Sequence, residues 1–236
     1  MRTVIVMPGT GSDADFVRRV FAPHAASIEA ELHCLEPEAN LVDSYLTRID
    51  AIAARSDRVI VGGVSIGAAI AVAWASDPAH VDRCDGVLAA LPPWSGAPGD
   101  SLASLSARIT ADAIEDNGLE HSVAAMVDGS PDWLGAELAR SWRSLHPRGL
   151  VAQLRAASVF TCPTLDDIAG LRVPLGVAVA PDDPLHPADV GRAWASAAPR
   201  GAVVETPLTE FGPDEALLGA ACVRAWRTAS ATSANL

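Results

Sequence analysis

Short apolar runs alternate with helix-spaced segments along this chain, and that alternation narrows the choice of folds more than any other feature. Residues 3–7 are apolar throughout, as a strand buried on both faces of a parallel sheet must be. The run stops at Pro8-Gly9-Thr10-Gly11, after which Ser12 and Asp13 open a helix with Phe16, Val17, Val20 and Phe21 on one side. Further strands are expected over 31–35, 58–62, 86–91, 173–180 and 202–206, six in all. Between them, Val42, Tyr45, Leu46, Ile49 and Ile52 have helical spacing, and helices are expected from Ile66 to Asp77-Pro78 and from Pro187 to Ala197. Pro213 is read as opening a last helix, with Leu217, Leu218, Ala221, Cys222, Ala225 and Trp226 on its buried side, and 228–236 as a frayed tail.

The alternation stops over 95–171, where only helical patterns occur: Leu102, Leu105, Ile109 and Ala113, then Leu134, Leu138, Trp142 and Leu145. Ser130 is read as the N-cap of the second pattern, with Pro131 at its first position. A helical block between two strands reads as a cap, giving a core of 1–94 and 172–236 with a cap of 95–171. With 236 residues, half of them hydrophobic, the chain suits one α/β domain with an insertion: a mostly parallel sheet of about six strands flanked by helices.

The strongest chemical signal is Gly63-Val64-Ser65-Ile66-Gly67, a G-x-S-x-G between an expected strand and an expected helix. A serine in so sharp a turn needs small residues two before and two after it, and Gly63 and Gly67 are those. The helix start places the Ile66 amide where it can stabilise an oxyanion. A glycine-rich turn with an incidental serine is the plainer alternative.

On these residues the chain resembles the α/β-hydrolase superfamily over nearly its whole length, as a small member whose sheet lacks the larger family's first two strands. The resemblance implies that Ser65 is the nucleophile and that Pro8-Gly9-Thr10-Gly11 is the oxyanion loop, with the Thr10 amide as second donor. The family's Asp-Pro-x-x-Pro pattern maps onto Asp183-Pro184-Leu185-His186-Pro187, which makes Asp183 the acid, with Asp182 the second choice. The chain then departs from the family. The loop after the last strand should carry histidine but has Glu210 there, and no histidine follows His186.

A serine hydroxyl needs a base within hydrogen-bond reach. His186 is favoured because it shares the acid loop, at the sheet edge where sites of such folds lie. His121 and His146 could reach down from the cap, and Glu210 could act without any histidine. His80 falls at the wrong end of the sheet, while His24 and His33 read as surface or satisfied core residues.

Trp94, Trp133 and Trp142, with Met126 between them, suggest either an apolar substrate pocket or glue between cap and core. Arg140, Arg143 and Arg148 could grip an anion or form a solvated helix face. The expected function is a serine hydrolase cleaving an ester, thioester or C–C bond of a small hydrophobic acyl compound; a cofactor-free lyase or cyclase and a silent binding protein are the alternatives.

The net charge of −12, with every basic residue an arginine, argues against nucleic acid or an anionic membrane as partner. A monomer or homodimer acting on a small molecule is expected. No cofactor or metal is called for, since there is no Lys for a phosphate loop, no full dinucleotide fingerprint and no paired Cys/His spacing. The N-terminal apolar run is too short for a signal peptide and the longest, around 66–75, too short for a membrane span, so a cytoplasmic protein is expected.

Overall fold

The computed structural model describes residues 2–231. Six parallel strands, β1 (Arg2–Met7), β2 (Ala30–Cys34), β3 (Val59–Val64), β4 (Cys84–Ala90), β5 (Leu175–Val179) and β6 (Gly201–Glu205), form one sheet in the order β2-β1-β3-β4-β5-β6. This is the parallel α/β sheet expected from the alternation, with strand limits shifted by one to a few residues.

Alternate side chains along each strand feed opposite layers. Ile5 and Met7 of β1 pack with α2 (Leu41–Ala53) and α3 (Ile66–Ser76), while Val4 and Val6 pack with α1 (Ala14–Ala26) on the other face. The insertion between β4 and β5 contains α4 (Leu102–Asn117), α5 (Leu119–Asp128), α6 (Asp132–Leu145), α7 (Leu150–Ser158) and α8 (Leu165–Ala169). Ala111, Ile114, Val123, Leu145 and Leu150 belong to a separate buried cluster of that segment. After β5 come α9 (Ala188–Ala197), α10 (Leu208–Phe211) and α11 (Ala216–Ala231). Among the described residues no helix is long and apolar enough to cross a membrane.

Several local expectations need correction. Ser130 does not cap α6. Its amide bonds to the Val127 carbonyl in the turn that ends α5, and Pro131 takes the cap position. The last helix begins at Ala216, not Pro213, because Asp214 folds into a turn and its carboxylate accepts the Ala216 amide. Leu217 is exposed rather than buried. Residues 228–231 continue α11, so the tail is not frayed there, and 232–236 lie outside the described residues. The apolar stripe of α4 faces outward: Leu102, Leu105 and Ile109 are exposed, while Ser104, Ala107, Ala111 and Ile114 face inward. Spacing alone marked the helix but not its buried side.

The strand order sets the position of any site. The connection from β1 runs outward to β2 and then returns past β1 to β3, so a crevice opens at the carboxyl ends of β1 and β3. The loops after these two strands are Pro8–Gly11 and the turn at Ser65.

Candidate active site

Ser65 sits between the end of β3 and the start of α3 with φ 53° and ψ −118°, a backbone conformation that an L-residue adopts only under strain. The two flanking glycines are steric requirements. A Cβ on Gly63 would lie 2.4 Å from the Met7 carbonyl oxygen and 2.8 Å from the Gly67 carbonyl carbon. One on Gly67 would lie 2.3 Å from that same Met7 oxygen. The turn is thus wedged against the end of β1, and only glycine at both positions lets the serine project from it.

The loop after β5 brings Asp183 and His186 together. Asp183 Oδ1 accepts the amides of Leu185 (2.8 Å) and His186 (3.2 Å), which folds the segment into a tight turn. Its Oδ2 lies 2.8 Å from His186 Nδ1, and His186 Nε2 lies 2.9 Å from Ser65 Oγ. An ionised carboxylate can only accept, so Nδ1 carries the proton and, in the neutral ring, Nε2 is left to accept from the serine hydroxyl. Burial pushes the Asp183 carboxyl up. The His186 hydrogen bond and charge, with the two amides, more than reverse this, leaving it below the ordinary aspartate value.

The other candidates make no hydrogen bond to Ser65 or to the His186 imidazole. Asp182 is exposed and accepts the Leu208 and Thr209 amides at 2.5 and 3.2 Å, so it holds the start of α10 instead of facing the imidazole. Glu210 is exposed and absent from the cavity lining. His121 and His146 are exposed and also stay out of the cavity. His80 stacks on Trp74 at 4.2 Å, His24 bonds the Ala216 carbonyl, and His33 faces Glu31.

Above Ser65 lies a cavity of about 620 Å³, mostly apolar, bounded by the core loops and by α4 and α6 of the insertion. Thr10 and Ile66 both line it. Among the described residues neither amide has a carbonyl or side-chain acceptor. Gly9 lies beside the serine, where a Cβ would make ordinary contact with Ser65 Cβ at 3.4 Å.

Trp94, Trp133 and Trp142 all line the cavity, whereas Met126 packs within the insertion. Phe16, Leu91, Leu134, Leu208 and Phe211 also line it and were not singled out from sequence. The apolar positions of α1 gave a signal for Phe16, but nothing local tells a pocket wall from a core contact.

The three arginines do not reach the cavity. Arg140 forks onto Asp13 and also pairs with Glu137, Arg143 pairs with Glu120, and Arg148 faces Glu36. The ionisable residues lining the cavity are Glu137, Asp182, Asp183 and His186. The four cysteines are free thiols, and burial pushes Cys34 up to about 11 and Cys84 up to about 12. No group of three or more His, Cys, Asp or Glu side chains among the described residues is arranged to hold a metal.

By sequence, the chain matches no protein-family model and no curated protein. By structure it is similar to N-formylmaleamic acid deformylase from Pseudomonas putida, with 21% identity, 94% of this chain and 91% of that one covered, and a TM-score of 0.65. A thermophilic esterase from Thermogutta terrifontis is 16% identical, covers 99% of this chain and 89% of its own, and gives a TM-score of 0.66. MenH from S. aureus is 12% identical over 97% of this chain and 94% of its own, with a TM-score of 0.71. The chain shares the fold of these proteins, the α/β-hydrolase fold.

Proposed function

We propose that this α/β-hydrolase-fold chain is a serine hydrolase that cleaves the ester or thioester bond of a small, uncharged, apolar acyl compound through an acyl-enzyme. The observation that carries the reading is His186 bridging Ser65 Oγ and Asp183 Oδ2 at 2.9 and 2.8 Å. A structural histidine does not need a hydroxyl in a strained turn on one nitrogen and a carboxylate on the other.

In this reading Ser65 Oγ attacks the substrate carbonyl as His186 Nε2 takes its proton. Asp183 holds the ring in the productive tautomer and stabilises the imidazolium. The oxygen of the tetrahedral intermediate gains its negative charge between the amides of Thr10 and Ile66. Collapse expels the leaving group, which takes the proton from His186 Nε2, and leaves the acyl group on Ser65. Water, deprotonated by the same nitrogen, then releases the acid.

The cavity supports the substrate class. Its tryptophans, with Leu134 and Phe211, suit an apolar chain, and Glu137 and Asp182 offer nothing to an anion. The silent and non-hydrolytic alternatives drew their force from the empty histidine position after β6. In the present reading His186 supplies the imidazole from the loop after β5, so the mechanism needs no histidine after β6.

The test is turnover of neutral p-nitrophenyl esters of two to eight acyl carbons. Hydrolysis by the wild type that Ser65→Ala abolishes is the expected result. Turnover that survives Ser65→Ala would refute the proposal.

A further inference from the structure

Three consecutive residues of the insertion grip the loop after β1, the loop that carries Thr10. Ser141, fully buried, donates its hydroxyl to the Gly11 carbonyl at 2.6 Å. Arg140 donates through both terminal nitrogens to Asp13, at 2.7 and 3.0 Å. Asp13 is also the N-cap of α1, accepting the amides of Asp15 and Phe16. Trp142 lies so tightly on Gly11 that a Cβ there would fall 2.6 Å from its indole nitrogen.

The loop is a four-residue turn, closed by the Ser12 amide on the Gly9 carbonyl at 3.1 Å. Gly11 has φ +77° at its third position, as a type II turn requires. Gly9 lies beside Ser65, where a Cβ would sit 3.4 Å from the serine's Cβ and 3.5 Å from the Val64 carbonyl oxygen, so the first half of the turn runs along the end of β3. The second half is gripped chiefly by α6. Thr10 lies between the two halves.

We propose that Arg140, Ser141 and Trp142 are positioning residues for the Thr10 amide, so that the oxyanion site is complete only while α6 is seated on this loop. The proposal rests on the hydrolase reading and extends it, making the insertion part of the catalytic geometry as well as the wall of the pocket. Loss of one oxyanion donor costs about 100- to 1,000-fold in kcat, so a donor tilted but not removed should cost about tenfold. That loss falls on the transition state, where the charge develops, and leaves ground-state binding nearly unchanged.

The test compares wild type, Ser141→Ala, Arg140→Lys and the control Arg143→Met, whose ion pair with Glu120 stays within the insertion. Arg140→Lys keeps the charge but loses the two-pronged geometry, and it carries the test if Ser141→Ala does not fold. The readouts are kcat and KM on a neutral p-nitrophenyl ester, Tm, and the affinity of an apolar trifluoromethyl ketone. Ser65 adds to the carbonyl of that ketone, its hydroxyl proton passes to His186, and the new oxyanion needs the same amides.

The expected result is that kcat and ketone affinity each fall about tenfold in the first two variants, with KM within about twofold, while Arg143→Met matches wild type. Unchanged kcat and ketone affinity in both variants would overturn the proposal. So would a parallel loss of kcat, KM and Tm, which marks a merely structural contact. A wild type that neither turns over ester nor binds the ketone would instead refute the hydrolase reading itself.

Discussion

Replacing Asp183 with asparagine tests the orienting role proposed for this carboxylate, because the surrounding amides dictate how the new side chain can sit. In the native loop Oδ1 faces the Leu185 and His186 amides, and Oδ2 faces His186 Nδ1. Asparagine has one oxygen and one NH2 group for these two places. With its oxygen on the two amides, the NH2 faces Nδ1 and forces the proton onto Nε2, where it points at Ser65 and the ring cannot act as base. With the amide flipped, the tautomer is restored, but two backbone donors meet an NH2 donor, at a cost of about 2 kcal/mol. The productive form is then a minor population, and kcat falls at least about 30-fold. If the flipped form is not reached, the loss approaches about 10,000-fold, the scale of a wrong-tautomer triad. The assay is initial-rate ester hydrolysis at pH 7, with Tm measured alongside to show that the loop survives. A kcat within a few-fold of wild type in a folded Asp183→Asn protein would refute the reasoning.

Gly67→Ala should lower stability by about 3 kcal/mol and remove activity, since its Cβ would sit 2.3 Å from the Met7 oxygen, whereas Gly129→Ala, with its nearest neighbour at 3.6 Å, should leave Tm nearly unchanged. Equal melting temperatures for the two variants would contradict the wedged-turn account. Asp13 is pushed up by burial and brought below the ordinary 3.8 by Arg140 and the α1 amides; Asp183 is likewise held low. A depressed carboxyl stabilises the fold above its unfolded pKa and loses that contribution as pH falls through the folded one. Tm should therefore drop as pH falls below about 4, less steeply in Asp13→Asn, and parallel Tm–pH curves would speak against it. On substrates of matched length, a neutral p-nitrophenyl ester should exceed one ending in a carboxylate by at least about tenfold in kcat/KM, because the cavity offers an anion no arginine. Equal or reversed preference would show that a cation reaches the pocket.

What the sequence revealed was what local sterics and short spacings determine. The elbow is legible because the strain at Ser65 demands glycine at 63 and 67 within five residues of chain. Asp183 and His186 are legible as a pair because they stand three positions apart in one turn. Asp182 could not be set aside in advance, since its adjacent carboxylate looks the same until α10 is seen to take it. The grip of α6 on the loop after β1 joins residues about 130 apart in sequence, and Arg140 read equally well as an anion clamp or a solvated face. The orientation of α4 was hidden for a related reason. Leu102, Leu105 and Ile109 make a helix-spaced stripe, yet the small residues Ser104, Ala107 and Ala111 are the ones that let the insertion pack closely.

Fluorophosphonate labelling read by intact mass, run on wild type, Ser65→Ala and His186→Ala, tests the central claim most directly. The account predicts one covalent adduct on the wild type and none on Ser65→Ala. It also predicts labelling of His186→Ala slowed by orders of magnitude, since the hydroxyl then has no base within 2.9 Å. Labelling of His186→Ala at the wild-type rate, or none on a folded wild type, would contradict it.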